Sequence, residues 1–182
     1  MNKIDAFVEK IKEVMPQRED VIRVVKDESQ TDIVLDEYII KLRDQAVQGD
    51  DLKALYGKYK IEYFLPVTQF YFASELQEKD DYILFGWSGR SGEYYAVDRL
   101  SEEVFLGNEN HEIKEFVAKN FHCFLDIMVF FTKQTAMQSY HPIYTVKVSL
   151  EEQKSILYQL VENCKQACGG EKYHGYYDKM LP

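Results

Sequence analysis

Residues 82–87 (Tyr-Ile-Leu-Phe-Gly-Trp) and 93–98 (Glu-Tyr-Tyr-Ala-Val-Asp) flank the short polar stretch Ser88–Gly92, and this constrains the chain more than any other feature. Aromatic and β-branched side chains suit a half-buried pleat, so two such runs on either side of a glycine-bearing break predict an antiparallel hairpin. Gly89 and Gly92 are the residues expected to supply positive φ in the reversal. A third strand is predicted over 103–106, after a polar turn at 99–102 and before Gly107-Asn108. Residues 117–128 then pass from a strand-like to a helical pattern.

Around this centre the helical signals are local and readable. Ile4, Phe7, Val8, Ile11 and Val14 recur at helical spacing ahead of Pro16, which disfavours helix in the residue before it. Leu35, Tyr38, Ile39, Leu42 and Ala46 repeat the pattern and predict a second helix over 34–48, stopped by Gly49. The run 21–25 is β-branched but too short for periodicity to separate a strand from an irregular packed segment. Residues 52–72 read as a short helix followed by extended chain, and 73–79 as one helical turn, with the main sheet starting at Tyr82. Ser149 followed by Glu152 has capping-box form, predicting a helix near 150–168 that Gly169-Gly170 can end. The tail from 171 to 182 either packs back on the domain or frays. Together these signals predict one α+β domain over 1–182, with an antiparallel-dominated sheet flanked by helices and an additional C-terminal helix.

Composition narrows the function classes. With 31 acidic against 22 basic residues the net charge is −9, which repels a phosphate backbone and attracts a basic protein. The acidic pairs are spread along the chain, so the plainer reading is a solubilising surface. No run of apolar residues is long enough for a bilayer span. No export signal is visible at the N-terminus, and the three cysteines are read as reduced thiols, so the expected compartment is the cytosol.

Chemical motifs carry little. Gly86-Trp87-Ser88-Gly89-Arg90 resembles a nucleophile elbow, but Arg90 stands where glycine is needed and strand residues follow where a helix should. The same glycines with Arg90 lack the remainder of a phosphate loop, and Arg90 beside Glu93 is more simply a surface ion pair worth less than about 1 kcal/mol. Cys164, Cys168 and His174 lack a fourth metal ligand, and Cys123 beside His122 lacks an orienting group. No catalytic residue, cofactor or metal is expected. Trp87, the single tryptophan, is read as a core residue, whereas Tyr94 and Tyr95 fit a core or an interface equally.

From about residue 35 to 131 the order of features resembles the SUKH superfamily. The segments that carry the likeness are 35–40 (Leu-Asp-Glu-Tyr-Ile-Ile), similar to that family's early helix, and 70–76, similar to its middle strand leading into a turn. After them come the 86–98 hairpin, 103–107, and 117–128 with Asn120 as the helix cap. The chain departs from the pattern at Leu35-Asp36, where the family often has Leu-Pro, and residues 132–182 extend beyond it. The resemblance implies a protein-binding module, commonly an immunity protein that neutralises a toxin. An acidic domain would do this by occluding the basic cleft of a toxin such as a nuclease. The competing expectations are a regulatory scaffold for an endogenous protein, and a small-ligand binder or enzyme using the turn around Arg90 and Tyr94. The residues expected to meet a partner are Asp80, Asp81, Arg90, Glu93, Tyr94 and Glu109, placed on loops or strand ends where binding groups concentrate.

Overall fold

The computed structural model describes residues 2–36, 40–42, 50–61, 64–65, 70–90, 92–140 and 149–181. Helix α1 (Lys3–Val14) starts where Asn2 Oδ1 accepts the Asp5 N–H at 2.8 Å, and it stops before Pro16 as its spacing predicts. Helices α2 (Arg18–Val25) and α3 (Glu28–Asp36) follow, so the β-branched run at 21–25 is helical, with Val21 buried. Strand β1 (Ile40–Leu42) and β2 (Tyr59–Ile61) form a two-stranded antiparallel sheet around α4 (Asp51–Lys58). The second helix predicted over 34–48 is therefore corrected: α3 covers its first positions as far as Asp36, and Ile40–Leu42 pairs with β2 instead. Ile40 packs against the core, and pairing with a neighbouring strand outweighs a helical period read from one segment alone. Its remaining positions, 37–39 and 43–48, and the Gly49 stop lie outside the described residues.

Among the described residues six strands form the main sheet in sequence order: β3 (Phe64–Leu65), β4 (Phe70–Glu78), β5 (Tyr82–Ser88), β6 (Tyr94–Asp98), β7 (Val104–Gly107) and β8 (Ile113–Ala118), each antiparallel to the next. The predicted hairpin and third strand are present, but the sheet does not begin at Tyr82. Residues 73–78 continue β4 where a helical turn was expected, with a register shift against β5 between Phe72 and Gln77. Of the two turn glycines only Gly92, at φ +73°, takes the left-handed region.

Helix α5 (Phe121–Tyr140) lies against one face of the sheet, its start capped by Asn120, whose Oδ1 accepts the Cys123 N–H at 2.9 Å. It is apolar nearly all round because the sheet, α1 and α6 (Leu150–Ala167) all pack on it. Phe124, fully buried, meets Phe70, Phe85 and Tyr95 at ring-centroid distances of 5.4, 5.1 and 6.0 Å. Burying one such ring stabilises the fold by roughly 1.5–3 kcal/mol. The capping box of α6 is complete, with Ser149 and Glu152 each satisfying the other's backbone N–H.

The C-terminal tail packs back. After Gly169 (φ +97°) ends the α6 segment, a 3-10 turn (Glu171–Tyr173) and α7 (His174–Asp178) return to β8. Tyr177 donates its hydroxyl to the Val117 carbonyl at 2.7 Å, Tyr173 donates to Glu103 at 2.6 Å, and Lys179 pairs with Glu115. Ile4 of α1 and Tyr177 of α7 consequently belong to one hydrophobic cluster.

Candidate functional site

Strand alternation sends Ile83, Phe85, Tyr95, Val104 and Leu106 toward the helices and leaves the other side chains on the opposite, outer face. There a second, smaller cluster forms from strand residues alone: Ala73, Leu84, Tyr94, Ala96 and Phe105 are buried, with Tyr82 and Phe116 packed against them. The cross-strand partners Tyr71, Trp87, Tyr94 and Gly107 make a row across β4, β5, β6 and β7. Tyr71 and Trp87 are 42% and 39% exposed, so the sequence reading of Trp87 as a core residue is corrected. A register shift at Leu84/Gly86 is the cause. Plain alternation would put Trp87 on the side of Phe85, and the bulge reverses the parity.

Gly107 is required by this row. A Cβ there would lie 2.6 Å from Cζ of Tyr94, so the glycine makes room for the tyrosine ring. Tyr94 stacks on Tyr82 with centroids 5.5 Å apart and planes 14° from parallel, and Phe105 meets Tyr82 edge-on at 5.7 Å. Tyr94 donates its hydroxyl to Tyr82 Oη at 3.2 Å, and Tyr82 Oη lies 2.8 Å from Nδ1 of His111. In the Nε2–H tautomer of the neutral imidazole the chain runs in one direction, Tyr82 donating to Nδ1. Burial, and then the bond to Tyr82, push the Tyr94 phenol well above its ordinary range, so it remains a donor.

His111 is held there by the β7–β8 turn. Asn108 Oδ1 accepts the N–H groups of Asn110 and Glu112, both at 3.0 Å, and the Asn108 carbonyl accepts the His111 N–H at 2.9 Å. These bonds fix His111 at φ +62°, a left-handed conformation in which histidine is one of the better tolerated non-glycine residues.

Of the six residues expected to meet a partner, four gather at one end of the sheet. Arg90 is exposed in the β5–β6 turn, Glu109 is exposed in the β7–β8 turn with its carboxylate beside Gly92, and Glu93 and Tyr94 lie between them. Glu93 is only 7% exposed and pairs with Lys114 Nζ at 2.6 Å, not with Arg90 as the sequence suggested. Tyr94, 4% exposed, supports the outer face from beneath. Asp80 and Asp81 are exposed at the opposite end, in the β4–β5 turn. Sequence reasoning passed over Tyr71, Tyr82, His111 and Lys114. Pairing the hairpin strands residue by residue would have placed Trp87 opposite Tyr94, whereas no sequence signal places His111 against Tyr82.

The weaker chemical motifs take plain structural roles. Ser88 ends β5 and its Oγ accepts the Arg90 N–H at 3.2 Å. Cys164 and Cys168 are buried, and burial pushes the Cys164 thiol up to about 12. Among the described residues no three His, Cys, Asp or Glu side chains are placed to hold a metal, and no helix is long and apolar enough to cross a membrane. No family model, curated protein or solved structure matches the chain.

Proposed function

We propose that this chain is a protein-binding module that presents the outer face of its sheet to a basic polypeptide. Following the SUKH resemblance, the partner is a toxin domain such as a nuclease, and the chain is an immunity protein that covers the toxin's cleft. The observation that carries the reading is Trp87, 39% exposed on the outer face of a folded sheet and directly opposite Tyr71. A tryptophan loses little rotamer freedom on docking and buries a large area, which makes it an effective anchor. The row beneath it is rigid, because Tyr94 is wedged over Gly107 and stacked on Tyr82. A net charge of −9 supports the choice of a basic partner, since opposite charge raises the association rate.

The test uses the polypeptide encoded by the neighbouring reading frame, purified and titrated with this chain. The expected result is a one-to-one complex that suppresses the toxin's activity, with Trp87→Ala weakening affinity by at least about tenfold. Association should also slow as salt is raised. A chain that neither binds nor protects would refute the binding reading, and full affinity in the Trp87→Ala, Tyr71→Ala double variant would refute the face.

A further inference from the structure

The hydrogen-bonded chain from Tyr94 through Tyr82 to His111 reaches solvent on the outer sheet face. Trp87 pairs with Tyr94 across β5 and β6, Tyr94 stacks on Tyr82, and the Tyr82 and His111 ring centroids are 6.4 Å apart. A docking footprint of roughly 800 Å² on each partner therefore takes in His111 together with Trp87. Tyr82 is half-buried and His111 is exposed, so the imidazole is the end of the chain that a partner meets. Histidine is also the side chain whose charge ordinarily changes between about pH 5 and about pH 8.

The neutral and the protonated ring make different demands on the two tyrosines. In the neutral form Tyr94 donates to Tyr82 Oη at 3.2 Å and Tyr82 donates to Nδ1 at 2.8 Å, which leaves the single ring proton on Nε2. Protonation turns Nδ1 into a donor, so Tyr82 Oη meets two donors and its own hydroxyl proton loses its acceptor. Backbone movement offers no relief. Asn108 holds the turn on both sides, its side chain accepting the N–H groups of Asn110 and Glu112 and its carbonyl that of His111. The charged groups around the ring are engaged elsewhere: among the described residues His111 has no ion pair, Glu112 accepts from Asn108 Nδ2 at 3.0 Å, the Glu109 carboxylate lies beside Gly92, and Lys114 of β8 is paired with Glu93. From β5 and β6 the ring is faced by Tyr82 and, behind it, Tyr94.

We propose that protonation of His111 is the release signal of the outer face, so that a basic partner docks on the neutral form and leaves as pH falls. This rests on the docking reading above and adds its regulation. Two effects act in the same direction. The imidazolium charge repels a basic partner at the edge of its footprint, and loss of the Tyr82–Nδ1 bond loosens the ring stacked on Tyr94, the cross-strand neighbour of Trp87. Docking confined to the neutral form makes affinity fall in proportion to that form's population, approaching about tenfold per pH unit on the acid side.

The test titrates the full chain with the polypeptide of the neighbouring reading frame from about pH 8 down to about pH 5.5, a range in which histidine ionises while ordinary carboxylates stay charged. The informative variant is His111→Asn. Its Oδ1 takes the place of Nδ1 as acceptor for Tyr82, asparagine tolerates the left-handed backbone at φ +62°, and the side chain cannot ionise. The affinity of the unaltered chain should fall at least about tenfold over the range, whereas His111→Asn should bind equally well at about pH 8 and change less than about threefold. In the chain alone, imidazole nitrogen NMR shifts should show only Nε2 protonated at the upper end of the range and both nitrogens at the lower end. The inference is overturned if the affinity of the unaltered chain is flat, if His111→Asn keeps the full pH dependence, or if the neutral ring carries its proton on Nδ1. A polypeptide that binds neither chain at any pH refutes the docking reading and this inference with it, while a complex indifferent to pH refutes only the regulation.

Discussion

Substituting Gly107 by alanine tests the arrangement of the outer face most directly. The added Cβ would sit 2.6 Å from Cζ, 2.8 Å from Cε2 and 2.8 Å from Oη of Tyr94, so the ring must retreat by about 1 Å to restore van der Waals contact. It has little room to do so, because Tyr94 is 4% exposed and stacked on Tyr82. Overpacking of this kind costs about 1–3 kcal/mol, and in a chain of this length 2 kcal/mol lowers the unfolding midpoint by about 4–8 °C. In a Tyr94→Val background the ring is gone, so Gly107→Ala should cost nearly nothing, giving a coupling of about 2 kcal/mol between the two positions. Urea unfolding followed by tryptophan fluorescence suits the measurement, since Trp87 is the single tryptophan and pairs with Tyr94. Equal costs for Gly107→Ala in the two backgrounds would refute the claim that this glycine exists to seat the Tyr94 ring.

Three further outcomes are expected. Tyr177→Phe removes the hydroxyl that satisfies the Val117 carbonyl and should destabilise the chain by about 1–3 kcal/mol in urea unfolding, with an unchanged far-ultraviolet spectrum. Burial works to raise the Glu103 carboxyl, but the bonds from Lys172 and Tyr173 hold it below its ordinary value. Its stabilising contribution is therefore present above about pH 4.3, the unfolded value, and is lost as pH falls through the depressed folded one. Glu103→Gln should accordingly flatten the acid limb of a stability-versus-pH curve, and an unchanged limb would contradict the assignment. Ser149→Ala breaks the capping box and should cost about 1 kcal/mol, read as earlier loss of amide protection in the first turn of α6 by hydrogen exchange.

The elements set by short-range rules were legible in the sequence. The spacing of Ile4, Phe7, Val8 and Ile11, the Asn120 cap, the Ser149–Glu152 box and the aromatic hairpin all describe interactions within a few residues, and each is present. The failures occur where a distant partner decides. Ile40 belongs to a strand because β2 is beside it, and the predicted helical turn gives way to strand where Gln77 and Glu78 pair with Leu84 and Ile83 of β5. At the candidate site, the sequence reading takes Asp80, Asp81, Arg90, Glu93, Tyr94 and Glu109 together, and only the strand order separates the first two from the other four, while Glu93 pairs with Lys114 from β8.

By itself, then, the sequence determined a helix-flanked antiparallel sheet and an acidic surface, since hydrophobic period, caps and charge are properties of neighbouring residues. The tertiary structure decided which side chains face outward. One bulged residue in β5 reverses the parity of the strand and turns Trp87 to solvent. It also decided how the outer face is built, because a tyrosine seated over a glycine requires two different strands, β6 and β7, to arrive side by side.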